Sequence, residues 1–373
     1  MHGCPCCGGQ LRLNGQEALV VQQVDLEPAK LTIEQHTCPE YWCVGCERSY
    51  KAALPRHVSQ GGLVGPRLTT LIAYLKGFCH ASFSTVRLFL RDVVGVSISR
   101  GQLSKIITKV STALDGPYQE LLEALPEEAI LNVDETGHKD NGKRMWTWCF
   151  RASLYTLFKI DPTRSADVLI EVLGKEFDGV LGCDCFSAYR RFMREFDVTL
   201  QFCLAHLIRD VKFLTTLPGK KEQAYGTALR EALRALFGVI HQREQMPKGE
   251  FQRRLEAARE GVLQAGQQDV PGSRHAQAMA KRLQKYGGQY FTFVTTPGVE
   301  PTNNSAERAI RFVVIDRHIT QGTRSEGGQR FCERIWSVIA TCTQQGRSVF
   351  DYLHAAVKAY FAEGCAPSLL GEG

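Results

Sequence analysis

The sequence predicts an α/β fold: a mixed sheet with flanking helices, carrying a large all-helical insertion and preceded by a small zinc-binding module and a helical, helix-turn-helix region. Three observations predict it. Cysteines and Gly/Pro turn signals crowd the first fifty residues. Helical periodicity fills residues 67–125, and from Ala129 short β-rich runs alternate with helical stretches. A chain of 373 residues, 44% apolar and 23% charged, has ordinary globular proportions and room for two or three domains. No apolar run is long enough to span a membrane, and the opening MHGCPCCGGQ has neither a basic n-region nor an apolar h-region, so the expectation is a cytoplasmic protein without a membrane partner. In that compartment the 14 cysteines stay reduced, which leaves metal binding or burial rather than a disulfide framework. A net charge of +6 permits a nucleic-acid partner without arguing for one.

Residues 1–50 form the first module. Cys4 with Cys7 and Cys43 with Cys46 each make a C-x-x-C knuckle, and two β-rich stretches, 17–26 and 29–43, lie between and around them. Two thiolates in one tight turn occupy two corners of a tetrahedral Zn²⁺, and two such turns close the shell. Cys6 and Cys38 are left over, and Cys6 competes with Cys7 for the metal; the alternatives are a redox pair or a metal-free turn. Residues 51–66, with two prolines and three glycines, read as a linker.

Across 67–125 three apolar faces recur at helical spacing: Leu71, Tyr74, Leu75 and Phe78; then Val86, Phe89, Leu90 and Val93; then Leu103, Ile106, Ile107, Val110 and Leu114. Gly95 separates the last two, and Ser99 is placed to cap the third helix, which is helix-turn-helix spacing. The sheet domain opens over 126–218 with the runs AILNVDET, RMWTWCFRA, YTLFKID, GVLGCD and VTLQFCLA, separated in places by the helical RSADVLIEVLG and FSAYRRFMREF. Residues 219–287, rich in Lys, Arg, Glu, Gln and Ala, predict the helical insertion. The sheet domain is expected to resume near QYFTFV and to fill 288–362 with two helices, the second long, before a tail over 363–373.

Three acids stand out. Asp134 follows an apolar β run and is expected to end its strand, with Glu135 sent to the opposite face by alternation. Asp184, in GCDCFSAY, repeats that grammar; Cys183 and Cys185 share the face opposite to it and read as small buried filler. Glu307, in TNNSAERAIRFVVI, falls in the first turn of a helix capped by Ser305 or Asn304, with Ala306, Ala309, Ile310 and Val313 packed. Singly, each acid has a plain structural reading, an Asx turn or a dipole-favoured helix start. Together, hard carboxylates on rigid elements suit one or two Mg²⁺ (or Mn²⁺) ions of the kind that serve phosphoryl transfer. Cys203 and His206 form a C-x-x-H pair with too few soft donors for a strong metal site, which favours a supporting role. A set of cations follows Glu307, namely Arg308, Arg311, Arg317, His318, Arg324, Arg330 and Arg334; phosphate backbones need such donors, and interleaved acids equally suit a solvated face.

ILNVDETG, GCDCFSAYRRF, CLAHLIRD and above all TNNSAERAIRFVVIDR, followed by GTRSEGGQR and DYLHAAV, resemble the DDE transposases of the insertion sequence 66 family, in order from about residue 1 to 362. The resemblance implies an RNase H-like catalytic domain in which Asp134, Asp184 and Glu307 bind two divalent cations, cut DNA at the ends of a bacterial element and join the freed 3′-hydroxyl to target DNA. It implies that Cys203 and His206 support the active site. It also implies that the zinc segment and the helix-turn-helix, with Arg100, Gln102, Lys105 and Lys109 on its third helix, recognise terminal inverted repeats. Arg308, Arg311 and Arg317 join those residues as DNA-binding candidates. By the same likeness the protein acts as a homo-oligomer on nucleoid DNA, with accessory proteins encoded by the same element. One departure is His318-Ile319-Thr320-Gln321, where the family tends to have a second basic residue and an aromatic. The alternatives are a non-catalytic DNA-binding protein derived from a transposase, and an RNase H-like nuclease or resolvase that does not join strands.

Overall fold

The computed structural model describes residues 3–10, 12, 21–25 and 31–371. At the N-terminal end, β1 (Glu40–Cys43) and β2 (Arg48–Lys51) form an antiparallel hairpin across the second cysteine knuckle. Much of the strand expected over 17–26 lies outside the described residues, and among the described residues of 29–43 only the end, Glu40–Cys43, forms strand. The hairpin covers no core: Tyr41, Trp42 and Tyr50 are all exposed.

The segment expected as a linker contains a helix, α1 (Arg56–Gly61), which starts after Pro55. Its last residue lies so close to Phe361 that a Cβ at Gly61 would sit 2.8 Å from the ring, so contact with the C-terminal helix orders a stretch whose composition reads as loop. The helical region follows as expected: α2 (Pro66–Gly77), α3 (Phe83–Phe89) continuing into a π-helical turn over Leu90–Val94, α4 (Arg100–Ala113) and α5 (Asp115–Ala124). Gly95 takes a left-handed φ of 81° between α3 and α4, and Ser99 Oγ accepts from the Gln102 N–H, capping α4.

The sheet has five strands, β3 (Ile130–Asp140), β4 (Lys143–Arg151), β5 (Thr156–Asp161), β6 (Val180–Cys183) and β7 (Thr199–Phe202), in the order β5-β4-β3-β6-β7. β3, β4 and β5 are antiparallel neighbours, whereas β6 and β7 continue parallel to β3. The parallel connections run through α6 (Ala166–Leu173) and α7 (Ser187–Phe196). β3 is longer than the sequence suggests. It runs on past Asp134 to Asp140 because the hairpin with β4 keeps pairing to Asp140 and Lys143, so Asp134 is mid-strand rather than at a strand end.

After β7 the chain enters α8 (Leu204–Leu214) and then the insertion, α9 (Lys220–His241), α10 (Lys248–Gln267) and α11 (Arg274–Tyr290). QYFTFV does not resume the sheet; it closes α11 and forms the short α12 (Thr292–Thr295). The buried Gln201 explains how the chain returns in place. Its amide donates to the carbonyl of Tyr290 and accepts from the N–H of Phe293, tying the exit of the insertion to β7, the strand before its entrance.

α13 (Asn304–Thr320) and α14 (Glu326–Gln344) lie on the face of β3 that carries Thr136 and His138: Arg317 donates to Thr136 Oγ1, and His138 meets the Trp336 ring edge to face. The opposite face is covered by α7, whose Tyr189 hydroxyl reaches Glu135. The expected long closing helix is two helices, since Gly346 turns left-handed at φ 67° and α15 (Val349–Phe361) restarts under a Ser348 cap. α14 also finishes the sheet edge. Glu333, Ser337 and Thr341, one turn apart, accept from the N–H groups of Ile160, Phe158 and Thr156 on β5, so a helix rather than a sixth strand satisfies the outer row of donors.

Candidate functional site

Asp134 lies on β3, Asp184 immediately after β6, and Glu307 in the first turn of α13. Parallel pairing of Asn132 with Gly182 puts the even-numbered residues of both strands on one face, so Asp134 and Asp184 emerge on the same side. α13 is delivered to that side by Asn303. Its side-chain amide donates to the Val133 carbonyl at 2.8 Å, and its N–H donates to Cys203 Sγ at 3.2 Å. Asn303 is thus the residue preceding the helix, and neither Ser305 nor Asn304 caps it, because Asn303's side chain is used to dock the helix on β3.

The three carboxylates share one electrostatic environment. Burial pushes the Asp134 carboxyl up to about 7, with the charge of Glu135 next in size and those of Glu307 and Asp184 also raising it. Asp134 Oδ1 accepts from the Glu135 N–H at 3.0 Å, and Asp184 Oδ1 accepts from the Phe186 N–H at 2.8 Å, which leaves each aspartate a second oxygen. Glu307 Oε1 is buried without a hydrogen-bond partner. The charges of Glu307 and Asp184 are felt at Asp134, but among the described residues the three carboxylates do not form one group of donors within 4.8 Å; hard oxygen donors of this kind suit a divalent cation that draws them together.

Glu135 is not part of this set. Alternation sends it to the other face, where it is buried, accepts from Arg164 Nε at 2.6 Å and receives the Tyr189 hydroxyl. Cys183 is fully buried on that same face and burial pushes its thiol well up, as expected of filler. Cys185, past the strand end, is only half-buried and lies against the Tyr290 hydroxyl.

Cys203 and His206 come together with Glu307, one donor atom from each lying within 4.8 Å of the others. His206 Nδ1 is 3.4 Å from Glu307 Oε1. Burial pushes the Cys203 thiol up, but the His206 ring and the Asn303 N–H outweigh it and leave the thiol lowered; the same contact with Cys203 raises His206. Sequence spacing linked Cys203 to His206, but nothing in it pointed to Glu307 or Asn303 as their partners. A second triad, the exposed Glu34, His36 and His57, was also missed, since His57 lies on α1.

At the N-terminal module each knuckle is formed as a turn. Gly8 N–H bonds Cys4 O, Glu47 N–H bonds Cys43 O, and the thiols of Cys4 and Cys43 are lowered by backbone N–H groups, first of Cys6 and of Cys46 respectively. N–H groups aimed at sulfur suit a thiolate ligand. Among the described residues, however, the two knuckles do not combine into one group of donors within 4.8 Å.

The DNA-contact candidates divide. Arg100, Lys105, Arg308 and Arg311 are exposed and Gln102 is half-buried, with Arg100 donating to Ser84 Oγ. Lys109 and Arg317 are already engaged. Lys109 Nζ donates to the carbonyls of Gln60 and Gly61 and fastens α1 to α4, while Arg317 donates to Thr136 and to the Gly137 carbonyl and fastens α13 to β3. Arg334 is likewise internal, bonded to Ser111 and Asp115. Helical periodicity placed all of these on polar faces but could not show which polar faces meet other elements.

No helix among the described residues is long and apolar enough to cross a membrane. Residues 61–330 match the family model described as Transposase IS66 family, and residues 2–47 match the zinc-finger binding domain of transposase IS66. The chain is also similar to two uncharacterized proteins of Sinorhizobium fredii: y4jD, 24% identical over 88% of this chain and 69% of that protein, and y4qI, 23% identical over 93% and 69%.

Proposed function

The chain belongs to the IS66 transposase family, and from that premise we propose that it is a DDE-type DNA transposase whose catalytic acids are Asp134, Asp184 and Glu307. Membership supports a transposase-type function, DNA as the partner and a structural zinc in the N-terminal segment. The observation that carries the finer reading is that carboxylates from β3, the end of β6 and the start of α13 lie close enough for the charges of Asp184 and Glu307 to raise Asp134, with Glu307 facing His206. An RNase H-like domain is supported by the strand order third-second-first-fourth-fifth, counted within this sheet, in which the first three strands are antiparallel and the last two parallel to the first.

In this reading Asp134, Asp184 and Glu307 hold Mg²⁺ or Mn²⁺, which when bound activates the attacking hydroxyl and stabilises the leaving oxygen of phosphoryl transfer. The chain's own residues fix the geometry. β3 and β6 hold the two aspartates rigidly, Asn303 sets the start of α13, and His206 limits the rotamers open to Glu307. Cys203 and His206 are positioning residues here, acting through Glu307 and Asn303. At the other end, Cys4, Cys7, Cys43 and Cys46 are the zinc ligands, and Arg100, Gln102, Lys105, Arg308 and Arg311 remain the DNA-contact candidates.

The test is a nicking and strand-transfer assay on DNA carrying the element's ends, with Mg²⁺ or Mn²⁺ added. Metal-dependent nicks and joined products in the wild type, both lost in D134N, D184N and E307Q while end binding persists, are the expected result. Binding without nicking at any metal concentration would instead indicate a non-catalytic DNA-binding protein, and nicking without joining a nuclease.

A further inference from the structure

A second polar site lies on the opposite side of α7 from the sheet core. A cleft of about 470 Å³ opens between the starts of α6 and α7 and the end of α11, lined by Arg164, Arg190, Arg191, Arg194, Lys285 and Tyr286. Five cations in one concavity repel one another unless anions offset them. The protein's own acids offset only two: Glu135 pairs with Arg164, and Asp167 and Glu195 pair with Arg191. Arg190, Arg194 and Lys285 form no ion pair among the described residues, and Arg190 Nε is buried without a hydrogen-bond partner.

Two further features are suited to an anion. Ser165, Ala166, Ser187 and Ala188 line the same cleft, so two helix N-termini face it; Ser165 caps α6 by accepting from the Asp167 N–H, whereas α7 has no side-chain cap to occupy its free N–H groups. The aromatic rings alternate with the cations. Arg164 stacks 3.8 Å from the Phe186 ring centre, while Arg190 and Lys285 lie 5.6 and 5.1 Å from that of Tyr286. Tyr286 is presented by a kink in α11, where its own backbone leaves helical geometry at φ −124° and ψ 18°. The cleft therefore joins the insertion to the sheet domain.

We propose that this cleft is a phosphodiester-binding site that holds a nucleic-acid strand, with Arg190, Arg194 and Lys285 contacting phosphates and Tyr286 offering a stacking surface. The proposal rests on the reading of the chain as a DNA-processing transposase and names a surface that reading does not need. Cations interleaved with aromatic faces track a sugar-phosphate backbone without reading sequence.

The experiment measures affinity of the full chain for a labelled duplex carrying the element's ends and for a single strand of the same length, by fluorescence anisotropy across a salt series without added divalent cation. In R190Q/R194Q/K285Q, affinity falls about tenfold or more, and the slope of log K against log salt shrinks by about 0.7 to 0.9 for each phosphate the variant no longer neutralises. R194Q/K285Q changes only exposed side chains and serves as the arm that keeps the fold intact. Y286A weakens the single strand more than the duplex. Unchanged affinity and slope in both cation variants overturn the proposal. So does a thermal shift by inorganic phosphate that the triple variant loses while its DNA affinity stays at the wild-type value, which marks a small-anion site. Because the readout is binding, wild-type protein that binds but never nicks overturns the transposase reading alone, and full affinity in a triple variant of a chain that nicks overturns this proposal alone.

Discussion

At the N-terminal end, two thiol pairs sit on turns around a hairpin whose aromatic residues face solvent; in the sheet, three carboxylates are held by β3, the end of β6 and the first turn of α13. The knuckles are locally complete, whereas the acids come from sites far apart in sequence and are brought near one another by packing; among the described residues neither set forms one group of donors within 4.8 Å. A turn needs only neighbouring residues to form, and closing a four-thiolate shell takes the metal itself. The carboxylates are assembled by the core, at the cost of burying charge that a cation would offset. Metal is thus expected to build the first site and, in the second, only to draw together acids that the fold already holds on rigid elements.

The sharpest way to break that contrast is to remove one acid. D134N, D184N or E307Q is expected to lower nicking about 10³-fold or more, because charge stabilisation of several kcal/mol is removed. The thermal midpoint should stay level or rise, since D134N removes a carboxylate whose ionisation burial opposes. A large drop in midpoint would mean that the acids are structural.

Zinc removal should do the reverse. Purified protein never exposed to chelator is expected to carry about one zinc per chain, given a Cys₄ shell. Stripping it, or making C43S, should expose residues 1–50 to protease while residues from α2 onward keep their midpoint. Metal content well below one, or a sheet domain that melts with the zinc, would end the comparison.

A smaller effect tests how the sheet edge is finished. Replacing Glu333 or Ser337 by Ala leaves a buried N–H of β5 without its acceptor, and each change should cost about 1 to 3 kcal/mol in denaturant unfolding. Glu333 is itself raised by burial, so E333Q, which keeps the acceptor without the charge, should be the mildest.

The smallest effect is on pH. Burial lowers His138 from 6.5 to about 4, so below 6.5 the unfolded chain takes up protons that the folded chain does not. Its contribution to stability is intact above 6.5, declines as pH falls, and levels off below about 4. H138Q, which can still meet Thr323 Oγ1, should flatten that part of the midpoint-pH curve.

How much of this was legible in the sequence differs by element. Periods of two and of helical spacing placed all five strands of the sheet and the helices of the insertion, because the burial of alternating or periodic apolar residues is written locally. The end of β3, the helix inside 51–66 and the break at Gly346 were not placed, since a hairpin partner, the Phe361 ring and a left-handed turn decide them. For the candidate site, the three acids were visible as acids after apolar runs or at a helix start. Asn303 was missed because its role is to donate to two acceptors distant in sequence, the Val133 carbonyl within β3 and the Cys203 sulfur just after β7.

The sequence by itself determined the class of the fold, the order of its parts, the two cysteine knuckles and the face on which each of Asp134, Glu135, Cys183 and Asp184 lies, for alternation along a strand depends on nothing beyond the strand. Only the tertiary structure decided that Glu307 meets His206 and Cys203, that Lys109 and Arg317 bind carbonyls rather than solvent, and that unpaired cations from α7 and α11 share one cleft. Those outcomes depend on which polar groups are brought together across sheet and helix, and a polar side chain carries no local mark of the partner it will find.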